Sequence, residues 1–281
     1  MSIFRAKPQI WWPGINYRDS LSQGLIFATP MWLARETTSA RPLDEDLVTR
    51  EISSSPTVNG GAWRAGTYGL ELYPGTGINQ SPFWNLPFTI TQELSFFIFC
   101  GPAGTGFDRL GIVNDTSAAT RGLILSAASA PTTFNLIWND AIGSTTPITG
   151  TSWLRTTDDN VAVGAIHDGG AGDQYCAAVV NGHFAQSTSW TTRNPSMSRV
   201  RIGGDGAGSN AWDTAAYAAA VWGRILGVDE MYRLITDPFV LYRKPSWVPQ
   251  QFAGISVAAG HPTMRRWAGV KHMPTYLPGA A

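Results

Sequence analysis

Cysteine, charge and long apolar runs are all scarce in this chain. Two cysteines among 281 residues, Cys100 and Cys176, are too few for a disulfide scaffold. Both sit inside apolar, strand-like runs, so buried free thiols are the expected state and a disulfide between them is the alternative. No stretch approaches the roughly 18 consecutive apolar residues of a membrane span, and the first residues reach Pro8 before any long apolar segment begins. Neither a membrane helix nor a signal peptide is expected. Only 14% of residues are charged, and apolar stripes at helical spacing are nearly absent. That excludes a helical bundle or coiled coil. No phosphate loop, nucleophile elbow, zinc spacing or paired carboxylates appears, and His167, His183, His261 and His272 sit beside no convincing partner. The chain is therefore expected to be neither an enzyme nor a holder of metal or cofactor.

Glycine, serine, threonine and tryptophan are plentiful, and they accompany short apolar segments separated by turn residues, as in an all-β protein. The strand segments are Gly24–Ala28, Tyr68–Tyr73, Phe88–Ile90, Leu94–Cys100, Leu110–Val113, Gly122–Ser126, Thr133–Trp138, Val161–His167, Tyr175–Val180, Arg199–Ile202 and Tyr217–Trp222. In Leu94–Cys100 both alternating faces are apolar except at Ser95, which predicts a central strand covered on both sides. Asn181-Gly182 is the strongest hairpin signal, because both residues tolerate the positive φ of a type I′ turn. Val228, Met231, Tyr232 and Ile235 have the spacing of a short amphipathic helix, with Asp229 and Glu230 in its first turn and Pro238 beyond its end.

Charge is balanced in total and uneven along the chain. Residues 1–18 and 241–281 hold eight cations and no acid, which leaves residues 19–240 with a net charge of −8. Basic ends on an acidic body suit docking on a neighbouring copy or another acidic surface. The tail's five cations are spread over 41 residues, too sparse for a nucleic-acid site, and no sequence-specific nucleic acid is expected as a partner. Trp11-Trp12-Pro13-Gly14 reads as part of an extended N-terminal arm, residues 1–20, whose adjacent tryptophans point to opposite sides. Residues 246–281, with Arg265-Arg266-Trp267 and Pro274-Thr275-Tyr276-Leu277-Pro278, read as a second arm whose apolar groups need a partner surface. Leu43-Asp44-Glu45-Asp46-Leu47 reads as a solvated loop. Asp205, Asn210 and Asp213, with Asp158, Asp159 and Asp168 elsewhere, read as surface acids in preference to a calcium site.

The run Val221-Trp222-Gly223-Arg224-Ile225-Leu226-Gly227-Val228-Asp229-Glu230-Met231, ending near Asp237-Pro238, resembles the closing strand and helix of the concanavalin A-like (laminin-G-like) jelly-roll family. Gly227 stands where that family usually has a serine cap. Val161–Gly169, Ala177–Gly182 and Arg199–Gly206 resemble the family's Asp-Gly strand, its Asn-Gly hairpin and its strand ending in Ile-Gly. The resemblance covers residues 21–245 and implies an antiparallel β-sandwich with one short C-terminal helix. The carboxylate strand of the family's glucanases, Glu-x-Asp-x-x-Glu, is missing.

A sandwich body with an Arg-Arg-Trp-x-Gly tail also resembles structural proteins of tailed-phage virions. The function this implies is a non-enzymatic capsid decoration protein, trimeric, made in the host cytoplasm and placed on the capsid surface. Its partners are other copies of itself and a major capsid protein, and its interface residues are Trp11, Trp12, Arg265, Arg266, Trp267 and Tyr276. The alternative is a carbohydrate-binding, lectin-like module of a phage tail or adhesin. For that reading Trp138, Trp153, Trp190 and Trp212 are the tryptophans able to stack on a sugar if exposed, with Trp190 and Trp212 the glycan contacts.

Overall fold

The computed structural model describes residues 15–30, 47–48, 62–66, 69–73, 83–103, 109–114, 121–128, 130–140, 143–193, 195–203 and 215–243. The chain divides into two units, Met1–Pro245 and Ser246–Ala281, and every described residue belongs to the first. Trp11, Trp12, Trp212, Arg265, Arg266, Trp267 and Tyr276 lie outside the described residues, as do Asp205, Asn210 and Asp213.

In chain order the strands are β1 (Leu25–Pro30), β2 (Ala62–Gly66), β3 (Gly69–Tyr73), β4 (Phe83–Ile90), β5 (Glu93–Cys100), β6 (Arg109–Asn114) and β7 (Gly122–Ala127). They continue as β8 (Phe134–Asn139), β9 (Ser144–Gly150), β10 (Asn160–Asp168), β11 (Gln174–Val180), β12 (His183–Ser187), β13 (Met197–Ile202) and β14 (Ala216–Trp222). One helix follows, α1 (Val228–Thr236), and then a 3-10 turn at Val240–Tyr242. An eight-stranded sheet runs β12-β11-β10-β5-β14-β3-β2, with β1 also paired to β14, and a six-stranded sheet runs β4-β13-β6-β7-β8-β9. Every pairing is antiparallel. The fold is an all-β jelly-roll sandwich with one short helix.

Two apolar layers hold it together. Phe96, Ile98, Ala162, Ile166 and Ala178 from one sheet meet Leu123, Leu125, Phe134, Leu136, Trp138 and Val200 from the other between the sheets. On the opposite face of the larger sheet, Phe97, Phe99, Val161, Val163, Ala177 and Val179 are covered by Met231, Leu234 and Ile235 of α1 and by Phe239 and Leu241. Strand β5 is therefore buried on both faces, as its sequence predicts, and β10 and β14 beside it are small-residue strands that accommodate its three phenylalanines and one isoleucine. Gly164 shows how close the sheets come: a Cβ there would lie 2.7 Å from Leu125 Cδ2 and 2.9 Å from Leu136 Cδ1. Cys100 and Cys176 are buried free thiols, and burial pushes the Cys176 thiol up to about 12.

The Asn181-Gly182 hairpin forms as expected, with φ of 51° and 95° and Val180 paired to His183. Asn181 does more than turn the chain. Its Oδ1 accepts from Val161 N–H at 3.0 Å, and its Nδ2 donates to Trp153 O and Asn160 Oδ1, each at 2.8 Å. Asn160, fully buried, in turn donates to Gly101 O at 3.0 Å and accepts from Arg155 N–H at 2.8 Å. This network ties three connections and the start of β10 together at one end of the sandwich.

The helix differs from its sequence stripe. Met231, Leu234 and Ile235 are buried, whereas Tyr232 is exposed and Val228 half-buried. The rotation follows from how the helix starts: buried Leu226, just before the N-cap, packs in the same cluster as Met231, a hydrophobic staple that fixes the entry angle. Gly227 has no side chain to cap with, and the Glu230 carboxylate instead accepts from Gly227 N–H at 2.9 Å. Arg224 grips the same carboxylate with both terminal nitrogens at 2.7 Å and donates from Nε to Gln23 O at 2.8 Å.

The Arg224 fork holds the Glu230 carboxyl below its usual range. A lowered folded value means that the stabilisation is present above the unfolded carboxylate pKa and is lost as pH falls through the folded one. Burial pushes Asp237 upward, so its ionisation acts in the opposite sense in the same acidic window. At neutral pH, Glu230→Gln should therefore cost about 1.5–3 kcal/mol. Urea midpoints taken down a pH series should show wild type and variant converging below the usual glutamate range, and a constant gap would contradict the fork.

Candidate functional site

One end of the sandwich, opposite the Asn160–Asn181 network, gathers the polar side chains of three separate connections. Consecutive residues at the end of β10 point to opposite faces. Asp168 turns inward, fully buried, and accepts from Trp138 Nε1 at 2.7 Å and from Arg193 N–H at 2.9 Å through one oxygen. His167 turns outward, with Glu93 and Asp173 each 3.4 Å from its ring nitrogens. A buried carboxylate persists only with such donors, because burial without them costs several kcal/mol.

Asp168 thereby anchors residues 188–193, which run from β12 towards β13. Gln174, the first residue of β11, fixes that segment a second time by donating from Nε2 to Trp190 O and to Thr192 Oγ1, both at 2.9 Å. Trp190 is half-buried and packs its ring against the inter-sheet core. The Arg193 guanidinium lies over the β8–β9 turn, 3.7 Å from Asp140 Oδ1 and 3.5 Å from Ser144 O, with its side chain 16% exposed. Gly143 leaves it room, since a Cβ there would be 3.3 Å from Arg193 Nη1. The contacts of this guanidinium are long, and its Nε–H and the Trp190 indole N–H are buried without a hydrogen-bond partner among the described residues. Each such orphan costs about 1–3 kcal/mol.

The candidate tryptophans now separate. Trp138 is fully buried with its N–H spent on Asp168, so it is core. Trp153 stacks with Phe134 and with His183, centroids 6.1 and 5.8 Å away and planes within 13° and 9°, and packs against the inter-sheet core. Trp190 remains, at a rim furnished with an amide, a guanidinium, a hydroxyl and a carboxylate. Sequence reasoning singled out Trp190 but missed Arg193, three residues on, and Gln174 and Asp140, which stand 16 and 50 residues before it and join the same rim only through the fold. The one local signal was Asp168-Gly169 closing a strand, which reads as a turn. Among the described residues no group of three His, Cys, Asp or Glu is placed to hold a metal ion, and no helix is long and apolar enough to cross a membrane.

No protein-family model matches the sequence, and no curated protein resembles it significantly. Solved structures do resemble it in fold. A crystal structure of an HCR/D W1238A mutant superposes with a TM-score of 0.54 at 9% identity, over 79% of this chain and 53% of that one. The binding domain of Paraclostridial Mosquitocidal Protein 1 gives 0.52 at 14% identity, over 78% and 53%. A Trypanosoma rangeli sialidase in complex with sialic acid gives 0.53 at 13% identity, over 84% and 37%. This chain thus spans about half or less of the length of these proteins. At such identities the likeness shows a shared jelly-roll sandwich and nothing finer.

Asp168→Ala removes the acceptor of two buried donors and should destabilise the protein by about 2–4 kcal/mol. The loss should appear in the urea midpoint together with a change in tryptophan emission from Trp138. A midpoint equal to wild type would show that the rim does not depend on this carboxylate.

Proposed function

We propose that this chain is a non-catalytic, lectin-like module that binds carbohydrate at the rim around Trp190. The carrying observation is one half-buried tryptophan on a segment pinned at two points, by Gln174 through Trp190 O and Thr192 Oγ1 and by Asp168 through Arg193 N–H, with the Arg193 guanidinium near Asp140 at the same rim. Sugars present an apolar C–H face and a ring of hydroxyls, and an aromatic platform edged by planar polar groups meets both needs. The orphaned N–H groups favour a ligand as well, because a bound molecule that draws residues 188–193 slightly outward lets those donors find acceptors. A fold shared with a structure described as a binding domain, and with a sialidase in complex with sialic acid, makes glycans, acidic ones included, the first probes to try. The capsid decoration role draws no support from these similar folds, and residues 1–14 and 246–281, which hold the interface residues that suggested it, lie outside the described residues.

On a glycan array the wild-type protein should bind a limited set of glycans. Trp190→Ala should weaken that binding at least about tenfold, the loss of one stacking contact, with the far-UV spectrum kept near wild type and the thermal midpoint lowered by the lost packing of the ring on the core. Trp190→Phe should retain part of it. Failure of the wild type to bind any glycan, or unchanged affinity in Trp190→Ala, would overturn the proposal.

A further inference from the structure

The ends of the two sheets are not treated alike. An end strand exposes a row of backbone donors and acceptors, and natural sheets blunt such edges with proline, charge or a bulge. Here β1 ends on Pro30 and carries a register shift, β2 contains Arg64, β4 contains Pro87, and β9 contains Pro147 opposite a second register shift. β12 has none of these devices. Its five residues, His183-Phe184-Ala185-Gln186-Ser187, pair with β11 in unbroken register and have no strand on their other side among the described residues. From Asn181 to Thr192 there is no Asp, Glu, Lys or Arg at all.

The same edge carries apolar surface. Phe184 lies opposite Val179, on the face of the sheet that α1 covers, and is 37% exposed. Tyr232 of α1, also 37% exposed, reaches Gly182 O with its hydroxyl at 3.4 Å. Two of the four large exposed hydrophobic residues among the described ones thus flank one bare edge.

We infer that β12 is a self-association edge, at which a second copy of this chain adds its own β12 antiparallel about Ala185. The register follows from the hairpin. With a two-residue turn, the flanking pair Val180 and His183 exchanges hydrogen bonds, so His183, Ala185 and Ser187 direct their backbone groups to β11 and Phe184 and Gln186 direct theirs outward. A two-fold axis at Ala185 places Phe184 against Gln186 of the second copy and lets these two positions exchange four backbone bonds. Ala185 then meets its counterpart as the close, non-hydrogen-bonded pair, where a small side chain fits. The two phenylalanines become diagonal neighbours within reach of each other, beside both Tyr232 rings. An uncharged edge facing itself opposes no like charges, which is what selects a second copy over an acidic or basic peptide.

Sedimentation velocity at about 100 μM, a concentration suited to a weak standard interface, should find the wild-type chain dimeric. Phe184→Lys puts like charges across the axis. Gln186→Pro removes one outward N–H that β11 does not use, a substitution edge strands tolerate. Each should weaken association at least about tenfold while keeping the thermal midpoint close to wild type. In the wild type, amide exchange at Phe184 and Gln186 should slow as concentration rises, a readout that a merely destabilised fold does not give. A monomeric wild type, or any oligomer, trimer included, that survives both substitutions, would overturn the inference. Glycan binding by Trp190 is read separately and stands or falls without it.

Discussion

The grip of Arg224 on Glu230 is the interaction on which the rest of the sandwich leans. One guanidinium joins the end of β14, the start of α1 and the residue that leads into β1, with Gln23 and Arg224 separated by 201 positions in sequence. Around it, Trp222 Nε1 donates to Leu21 O at 2.6 Å. The hydroxyl of Ser95, the one polar side chain in Leu94–Cys100, donates to Arg224 O at 2.8 Å and accepts from Leu226 N–H at 2.9 Å. Three segments far apart in the chain are thereby closed at one corner by hydrogen bonds that are charged or buried, the strong kinds. Gly227 takes part in this arrangement. With Arg224 holding Glu230 from the other side, the carboxylate accepts from Gly227 N–H, one half of a capping box, while the half that a serine hydroxyl would supply to the first turn is absent.

That closure puts the last strand in the middle of the larger sheet. β14 must enter between β5 and β3 while also pairing with β1, so the sheet is complete only when both ends of the sandwich have been made. Long-range pairing of this kind costs loop entropy before contacts repay it and makes for slow folding. The composition of β14 suits the late position. Four of its seven residues are alanine, which slot between the large side chains of β5 with little rotamer entropy to lose. Its bulky residues, Tyr217 and Trp222, face the helix layer, where Tyr217 packs on Phe99 at 4.7 Å and also donates to Asp159 at 3.0 Å.

Most strands were legible because their sequences contain both signals a strand needs, alternation or an apolar run and a turn residue at the end. β5, β10, β11, β13 and β14 are of that kind, and the Asn181-Gly182 turn fixed a register in advance. β2 and β9 were not seen, and β12 was implied only by the hairpin turn before it. Ala62-Trp63-Arg64-Ala65-Gly66 is small and follows a polar connection, and Ser144–Gly150 is threonine-rich with a central proline, so both resemble loops until a neighbouring strand supplies the pairing. The helix was legible in extent but not in rotation: of the four residues at helical spacing only Met231 and Ile235 are buried, Leu234 joins them, and Leu226, outside the helix, decides that rotation. The rim was the least legible. Trp190 announces itself by residue type, but Asp140, Asp168, Gln174 and Arg193 come from three connections, and no local pattern groups them before the sheets are stacked.

The rim and the bare edge are consequences of one stretch of chain. Strands β10 to β12 supply Asp168, Gln174 and the open ladder in succession, and the uncharged run from Asn181 to Thr192 continues from the edge strand into Trp190. An edge kept free of charge and proline is an aggregation liability unless something uses it. Pairing about Ala185 uses it up, because the two-fold axis consumes the edge of both copies and leaves no further ladder to extend. It also sets the direction of binding. Antiparallel partners carry their Trp190 segments to opposite ends of the shared ribbon, too far apart to grip one sugar together. On the proposed glycan-binding reading, the gain from pairing lies in holding two sites to a surface that displays many glycans, where the second contact forms at the high effective concentration set by the first.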